Sequence, residues 1–411
     1  MKLQEVCELI VDCEHKTAPT QETGYPSIRT PNIGRGYFIL DGVNRVSEET
    51  YRLWTRRARP QQGDLIMARE APVGNVAIIT AGLQPCLGQR TLLIRPDRSK
   101  VDPLFLNYFL NGSFVQGLIQ AKTNGATVAH LNMEDVRTME LPELPRLSTQ
   151  RRTAEILGTY DDLIANNARR IKVLEEMAKM IYREWFVNFR FPDHHKVRLT
   201  NSELGPVPEG WNVTSLGEIA SVNQTTIKMK QPDDLISYVD IASVSTGQID
   251  QKIRIPFGDA PGRARRVVRS GDIIWSTVRP NRKSFALILN PEPDLIVSTG
   301  FAVLTPTKVP FTYLYFSSTT DEFAEYLSNH ATGAAYPAVN AADFERAKVL
   351  LPPELLLKRF HSLTANCLEL QDCLQRRNSN LFTTRDILLP KLISGEIGVD
   401  HPETEPAAQI S

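Results

Sequence analysis

The sequence predicts an α+β protein: two tandem-repeated globular α/β domains separated by two long helices that form an antiparallel coiled coil. Three observations carry that prediction. One phrase recurs with its surroundings 208 residues further on, short strand-like runs fill the same places in both copies, and a seven-residue apolar repeat follows each copy.

The phrase is GDLIMAREAPVGNVAIIT at 63–80 and GDIIWSTVRPNRKSFALI at 271–288. Gly-Asp before a strand is common turn chemistry, so one echo decides nothing. The shift of 208 also carries Gly125 to Gly333, Asn132 to Asn340, and Gln150-Arg151 to Lys358-Arg359. Four correspondences in order are not chance. A unit this long is no solenoid repeat, so a whole domain plus a helix is duplicated.

The first copy offers the strand-like runs IRTPNIGRGYFIL, DLIMA, NVAIIT and RTLLIRP, and the second SYVDIASVSTGQI, DIIWSTV, SFALIL and FAVLTP. Pro103 and Pro310 each open an apolar stretch suited to a helix. A Gly-containing loop and a short strand ending near Pro145 or Pro353 complete each copy, giving a mostly antiparallel, curved sheet.

After Pro145 the periodicity changes. Ser148 can cap a helix, in which Leu157, Ile164, Ile171, Ala178 and Trp185 step by seven, with Tyr160, Asn167, Leu174 and Ile181 as the companion row. The second copy has Phe360, Cys367, Leu374, Leu381 and Leu388, flanked by Leu363 and Leu370, and Pro390 should end or kink it. Two equivalent helices with one apolar stripe each pair antiparallel. At ~1.5 Å per residue they make a rod of about 50–60 Å with a head at either end. The predicted organisation is 1–147 first head, 148–190 first long helix, 191–211 linker, 212–353 second head, 354–395 second long helix with its end motif, and 396–411 tail.

Lys plus Arg equals Asp plus Glu at 47 each, so net charge names no partner, and only local charge can. Five cysteines without zinc spacing read as reduced thiols, and His194-His195 as a solvated pair. With no apolar run approaching a membrane span and no signal-peptide pattern, the expected location is cytoplasmic.

Local charge is informative. Residues 51–100 hold nine Lys/Arg against three Asp/Glu, and 251–290 nine against two. The candidate DNA contacts are Arg56, Arg57, Arg59 and Arg69 in the first copy, with Arg263, Arg265, Arg266, Arg279, Arg282 and Lys283 in the second. A solvated charged face is the plain alternative for one such cluster, and its duplication tips the reading towards DNA. Phosphate-loop, dinucleotide-binding, zinc-protease and serine-hydrolase motifs are absent. Asp233, Asp250 and Lys252 fit a loose Mg²⁺-nuclease pattern that the first copy lacks.

YREWFVNFRFP at 182–192, GPVPEGW at 205–211 and TTRDILLPKLISGEI at 383–397 resemble the specificity subunits of type I restriction–modification enzymes, as do YPSIRTPNI from Tyr25 and the GDLI phrase. The resemblance covers nearly the whole chain and implies two target-recognition domains, each reading half of a split double-stranded DNA site. It implies no catalysis and no cofactor in this chain. S-adenosylmethionine, Mg²⁺ and ATP would sit on partners: methyltransferase subunits, two in number, docked on the helices, and restriction/translocase subunits. It leaves open whether Phe186, Phe189 and Phe191 touch a partner or pack, while Trp185, on the seam, packs. The competing readings are a protein-binding scaffold and the Mg²⁺ nuclease.

Overall fold

The computed structural model, which describes residues 1–123, 130–227 and 230–399, gives both Gly-Asp phrases one task. Gly63 and Gly271 have φ of 89° and 93°, a left-handed conformation that glycine takes without a Cβ clash. Their N–H groups donate to the carbonyls of Ile79 (2.9 Å) and Ile288 (2.8 Å). The next residue closes the turn: Asp64 accepts from the Gln61 N–H at 2.9 Å, and Asp272 from the Arg269 N–H at 2.7 Å. A fully buried strand then begins, Leu65–Ala68 or Ile273–Ser276.

The chain divides into two compact units, one of Met1–Asn166 with Asn378–Ser411 and the other of Asn167–Arg377. In the first, an antiparallel sheet runs in the order Cys7–Asp12, Thr91–Pro96, Leu65–Ala68, Val76–Ile78. In the second, Ala220–Val222, Phe301–Pro306, Ile273–Ser276 and Phe285–Leu287 repeat that order. Helices Pro103–Asn111 and Ser113–Lys122 match Phe311–Ser317 and Asp321–His330. The repeated Asn132 and Asn340 each precede a short helix, and Asn340 caps its own with the side chain. Gln150-Arg151 and Lys358-Arg359 fall near the starts of the long helices Leu147–Tyr182 and Glu354–Ile393, and Gly125 lies outside the described residues.

Both faces of each central strand are covered. Leu65 and Met67 enter one apolar cluster and Ile66 and Ala68 another; Ile273 and Trp275 are likewise separated from Ile274. Two-sided burial explains why these strands read as unbroken apolar runs rather than alternating ones. Each unit also holds a further sheet, which corrects the expectation of a single curved sheet. Tyr25–Ile28 pairs in parallel with Cys86–Leu87, and Leu235–Val239 with Leu295–Ser298.

The long helices are Leu147–Tyr182 and Glu354–Ile393, of 36 and 40 residues. Within the first unit they are antiparallel: Leu157 clusters with Leu392 and Leu388, Asp161 accepts from Arg385 at 2.6 Å, and the Ile164 carbonyl accepts from Asn378 at 3.2 Å. Within the second unit, Tyr182, Trp185 and Phe186 surround Phe360. Of the seam residues, Leu157, Ile164 and Leu374 are buried, while Ile171, Leu174, Ile181, Leu381 and Leu388 are half-buried. The companion row of the second helix is not Leu363 and Leu370, which are 51% and 38% exposed. It is Leu357, Thr364, Gln371, Asn378, Arg385 and Leu392, the buried or half-buried residues at steps of seven. Ser148 lies inside the first turn rather than capping it, and the helix runs three residues past Pro390.

A single π turn, Arg183–Val187, ends the first long helix. Phe186, Phe191 and Trp211 are buried in the second unit's core, with Trp185 and Phe189 packed against it. The phenylalanines left open by the sequence therefore pack, as does Trp185. The stretch 191–211 includes a hairpin of Leu199–Ser202 with Gly205–Pro208.

Candidate nucleic-acid interface

The strand after each Gly-Asp turn delivers its chain to the same backbone junction. In the first unit the Arg69 N–H donates to the Arg90 carbonyl (2.9 Å), and the Arg69 carbonyl accepts from the Leu131 N–H (3.0 Å). In the second, the Thr277 N–H donates to the Gly300 carbonyl (2.8 Å), and the Thr277 carbonyl accepts from the Val339 N–H (2.9 Å). One frame thus presents different side chains in the two units.

In the first unit the junction is filled by charge. Arg69 is 6% exposed. Its Nε donates to the Leu131 carbonyl (2.9 Å), its Nη1 to Asp12 (2.6 Å), and its Nη2 faces His130 Nε2 (3.1 Å). His130 Nδ1 meets Glu70 at 3.0 Å, and Glu70 also pairs with Arg90. Arg56 makes a two-pronged contact with Glu14 at 2.9 and 3.1 Å. Arg57 donates to the carbonyls of Asp12 and Cys13, and Arg59 lies over the Tyr51 ring, 5.7 Å from its centre. Three of these four arginines remain on the surface, whereas Arg69 is structural. Arg29 and Arg35, exposed on the loop that carries Tyr37, make no side-chain ion pair among the described residues and stand outside the candidate contacts drawn from charge density. The YPSIRTPNI…G stretch could have flagged both.

In the second unit the candidates fall into two groups beside one turn. Arg263, Arg265 and Arg266 lie on or beside the edge strand Ala264–Val267. Arg263 reaches the Tyr238 hydroxyl (3.2 Å) and Asp240 (3.6 Å), and Arg265 lies over Phe257. Arg266 is half-buried with an unpartnered Nε among the described residues, and burial lowers its pKa. Arg279, Arg282 and Lys283 occupy the loop between Ser276 and Phe285. Turn 299–300 joins the groups: the Thr299 N–H donates to the Arg263 carbonyl at 2.7 Å, while Gly300 accepts from Thr277. Sequence reasoning found both groups through charge density, but had no signal that they meet.

Two of the three residues of the loose nuclease pattern are engaged elsewhere. Asp250 accepts from Ser245 (3.1 Å) and Gln248 (2.6 Å), and Lys252 pairs with Glu292 (3.1 Å), so both have partners other than each other. Among the described residues, the one grouping with metal-ligand geometry is Asp12, Cys13 and His15, which the sequence reading missed. The signal was DCEH, but Arg69 already neutralises Asp12 there.

Fold and surface together define a duplicated two-unit α+β protein with a cationic loop region on each unit. Comparison with known proteins makes the assignment specific. Residues 1–176 match the family model of the type I restriction modification DNA specificity domain. The type I restriction enzyme MjaIX specificity subunit of Methanocaldococcus jannaschii is 23% identical over 371 residues, covering 89% of this chain and 84% of that one. The HindI specificity subunit of Haemophilus influenzae is 22% identical over 372 residues, covering 74% and 80%. A crystal structure of the type I restriction–modification S subunit from M. genitalium shares the fold, with a TM-score of 0.62 at 16% identity over 96% of this chain and 95% of that one. Over most of its length the chain is thus similar to type I specificity subunits, and its first 176 residues carry the DNA specificity domain of that family model.

Proposed function

We propose that each unit of this specificity subunit reads one half of a bipartite site in double-stranded DNA. The chain recognises DNA sequence within a restriction–modification complex and is not itself the enzyme. The observation that carries the half-site reading is the shared junction with unlike surroundings: in one unit Arg69 closes it from inside and the exposed cations are Arg56, Arg57 and Arg59, while in the other Thr277 opens a loop with Arg279 and Arg282. One frame with two surfaces suits two different half-sites on one duplex.

Methylation and cleavage then belong to partners: methyltransferase subunits, two in number, carrying S-adenosylmethionine, and restriction/translocase subunits using ATP and Mg²⁺. The first long helix supports a docking role. Val173, Met177, Met180 and Val187 are 49–63% exposed at helical spacing, an apolar stripe whose methionines adapt to a partner surface. The test replaces residues 212–353 with the corresponding span of a relative, co-expresses the chain with its methyltransferase subunits, and maps methylated sites across a genome. Half of the recognised sequence should change. A wholly new or an unaltered target would refute the two-half-site reading.

A further inference from the structure

Tyr336 is the most exposed large hydrophobic side chain of the described residues, at 68%, and the core does not explain it. It sits in a small turn where Thr332 and Ala338 exchange backbone hydrogen bonds of 2.9 Å. That turn is locked to the loop following Ile273–Ser276: the Arg279 N–H donates to the Pro337 carbonyl at 2.7 Å, and Val278 pairs with Ala338. Arg279 and Lys283 have φ of 51° and 52°, a region that residues other than glycine seldom adopt. Lys283 fastens the far end of the loop to Asp321 at 2.6 Å. The outcome is a guanidinium held in place, with Arg279 over the Tyr336 ring, 4.4 Å from its centre, and its Nη2 bonded to the Ala335 carbonyl at 3.1 Å.

We infer that Arg279, positioned by Tyr336, reads a guanine in the half-site of the second unit. This rests on the half-site reading above and names the base class read there. One Nη2 hydrogen is used internally, which leaves further donors of the fork for the O6 and N7 acceptors at the guanine's major-groove edge. An arginine already ordered by a ring and a carbonyl loses little rotamer freedom on making that two-pronged contact, which a phosphate does not require. Three residues on, Arg282 is exposed without a side-chain partner among the described residues, and suits the phosphate backbone.

The experiment uses the full chain in complex with its methyltransferase subunits and maps methylated sites for the parent, Arg279→Ala, Tyr336→Ala and Tyr336→Phe. Arg279→Ala should relax one guanine-containing base pair in one half of the motif, lowering discrimination there roughly 10- to 100-fold. Tyr336→Ala should relax the same pair, and Tyr336→Phe, which keeps the ring, should restore it. Because Tyr336 is exposed, its variants test the inference even if Arg279→Ala fails to fold. An unchanged motif, equal weakening at every position, or relaxation in the other half would each overturn the inference. Those results leave the half-site reading standing if the parent's motif is bipartite; a parent motif that is not bipartite defeats both.

Discussion

Arg69 offers a sharp test, because its charge suggested a DNA contact and its surroundings make it a strut. Arg69→Ala removes a side chain that is 6% exposed and strips partners from Asp12, the Leu131 carbonyl and His130. Breaking a buried ion pair from one side costs about 3–5 kcal/mol. Asp12 remains 16% exposed and keeps His15 at 2.8 Å, so the cost here falls to about 2–4 kcal/mol. Hydrogen exchange on the full chain reads this locally. Amides of Leu65–Ala68 and Thr91–Pro96 should exchange roughly 30- to 1,000-fold faster, from that loss at RT of about 0.59 kcal/mol. Those of Ile273–Ser276, in the other unit, should not change. Arg69→Lys should recover little, since an ammonium cannot replace the planar fork. Unchanged protection together with lost DNA affinity would refute the assignment and return Arg69 to the interface.

The two Gly-Asp carboxylates should respond differently to the same change. Asp64→Asn loses the Arg95 contacts at 2.7 and 2.9 Å and should cost about 1.5–3 kcal/mol at pH 7 in chemical denaturation. Asp272 makes no ion pair among the described residues, and burial outweighs the more distant Arg269 and raises its pKa, so its contribution is full below the unfolded carboxyl pKa and is lost as pH rises through the raised folded value. Asp272→Asn should therefore be neutral or stabilising at pH 7, and a large loss there would contradict the reading. Replacing Arg265 and Arg266 with alanine should weaken DNA binding and flatten its salt dependence, measured by fluorescence anisotropy at several salt concentrations. Met177→Glu with Met180→Glu should reduce co-purification of the methyltransferase subunit without altering thermal melting. Burial pushes the Cys7 and Cys86 thiols up to about 12, so both should resist iodoacetamide at pH 8 in the native chain and react once it is unfolded.

What was legible in the sequence was local chemistry. Gly63, Asp64, Gly271 and Asp272 encode a turn whose hydrogen bonds span three residues, so the phrase could be read without a fold. Apolar residues at steps of seven revealed the long helices for the same reason. The companion row of the second helix was hidden because Thr364, Gln371, Asn378 and Arg385 fill it, and an apolar count selects Leu363 and Leu370 instead. Arg69 misled for a different reason: charge marks a residue as cationic, but Asp12 and His130, which bury it, lie 57 and 61 positions away. The parallel strand pairs were likewise beyond reach, since Ser27 meets Cys86 and Ser237 meets Leu295 across long connections. Tyr336 carried no signal at all until the loop beside Arg279 was placed.

The first unit is made of two pieces of chain, and that has a consequence for biosynthesis. Arg385, which holds Asp161, and Leu388 and Leu392, which cover Leu157, emerge from the ribosome only after all of Asn167–Arg377. At ~5–20 residues per second, that interval lasts roughly 10–40 s. The nascent first unit must wait through it with one wall missing, while the second unit, continuous in the chain, can close as soon as it is released. The unit begun first is thus the one finished last, and a chain stopped short of Asn378 would deliver a complete second unit attached to an unfinished first.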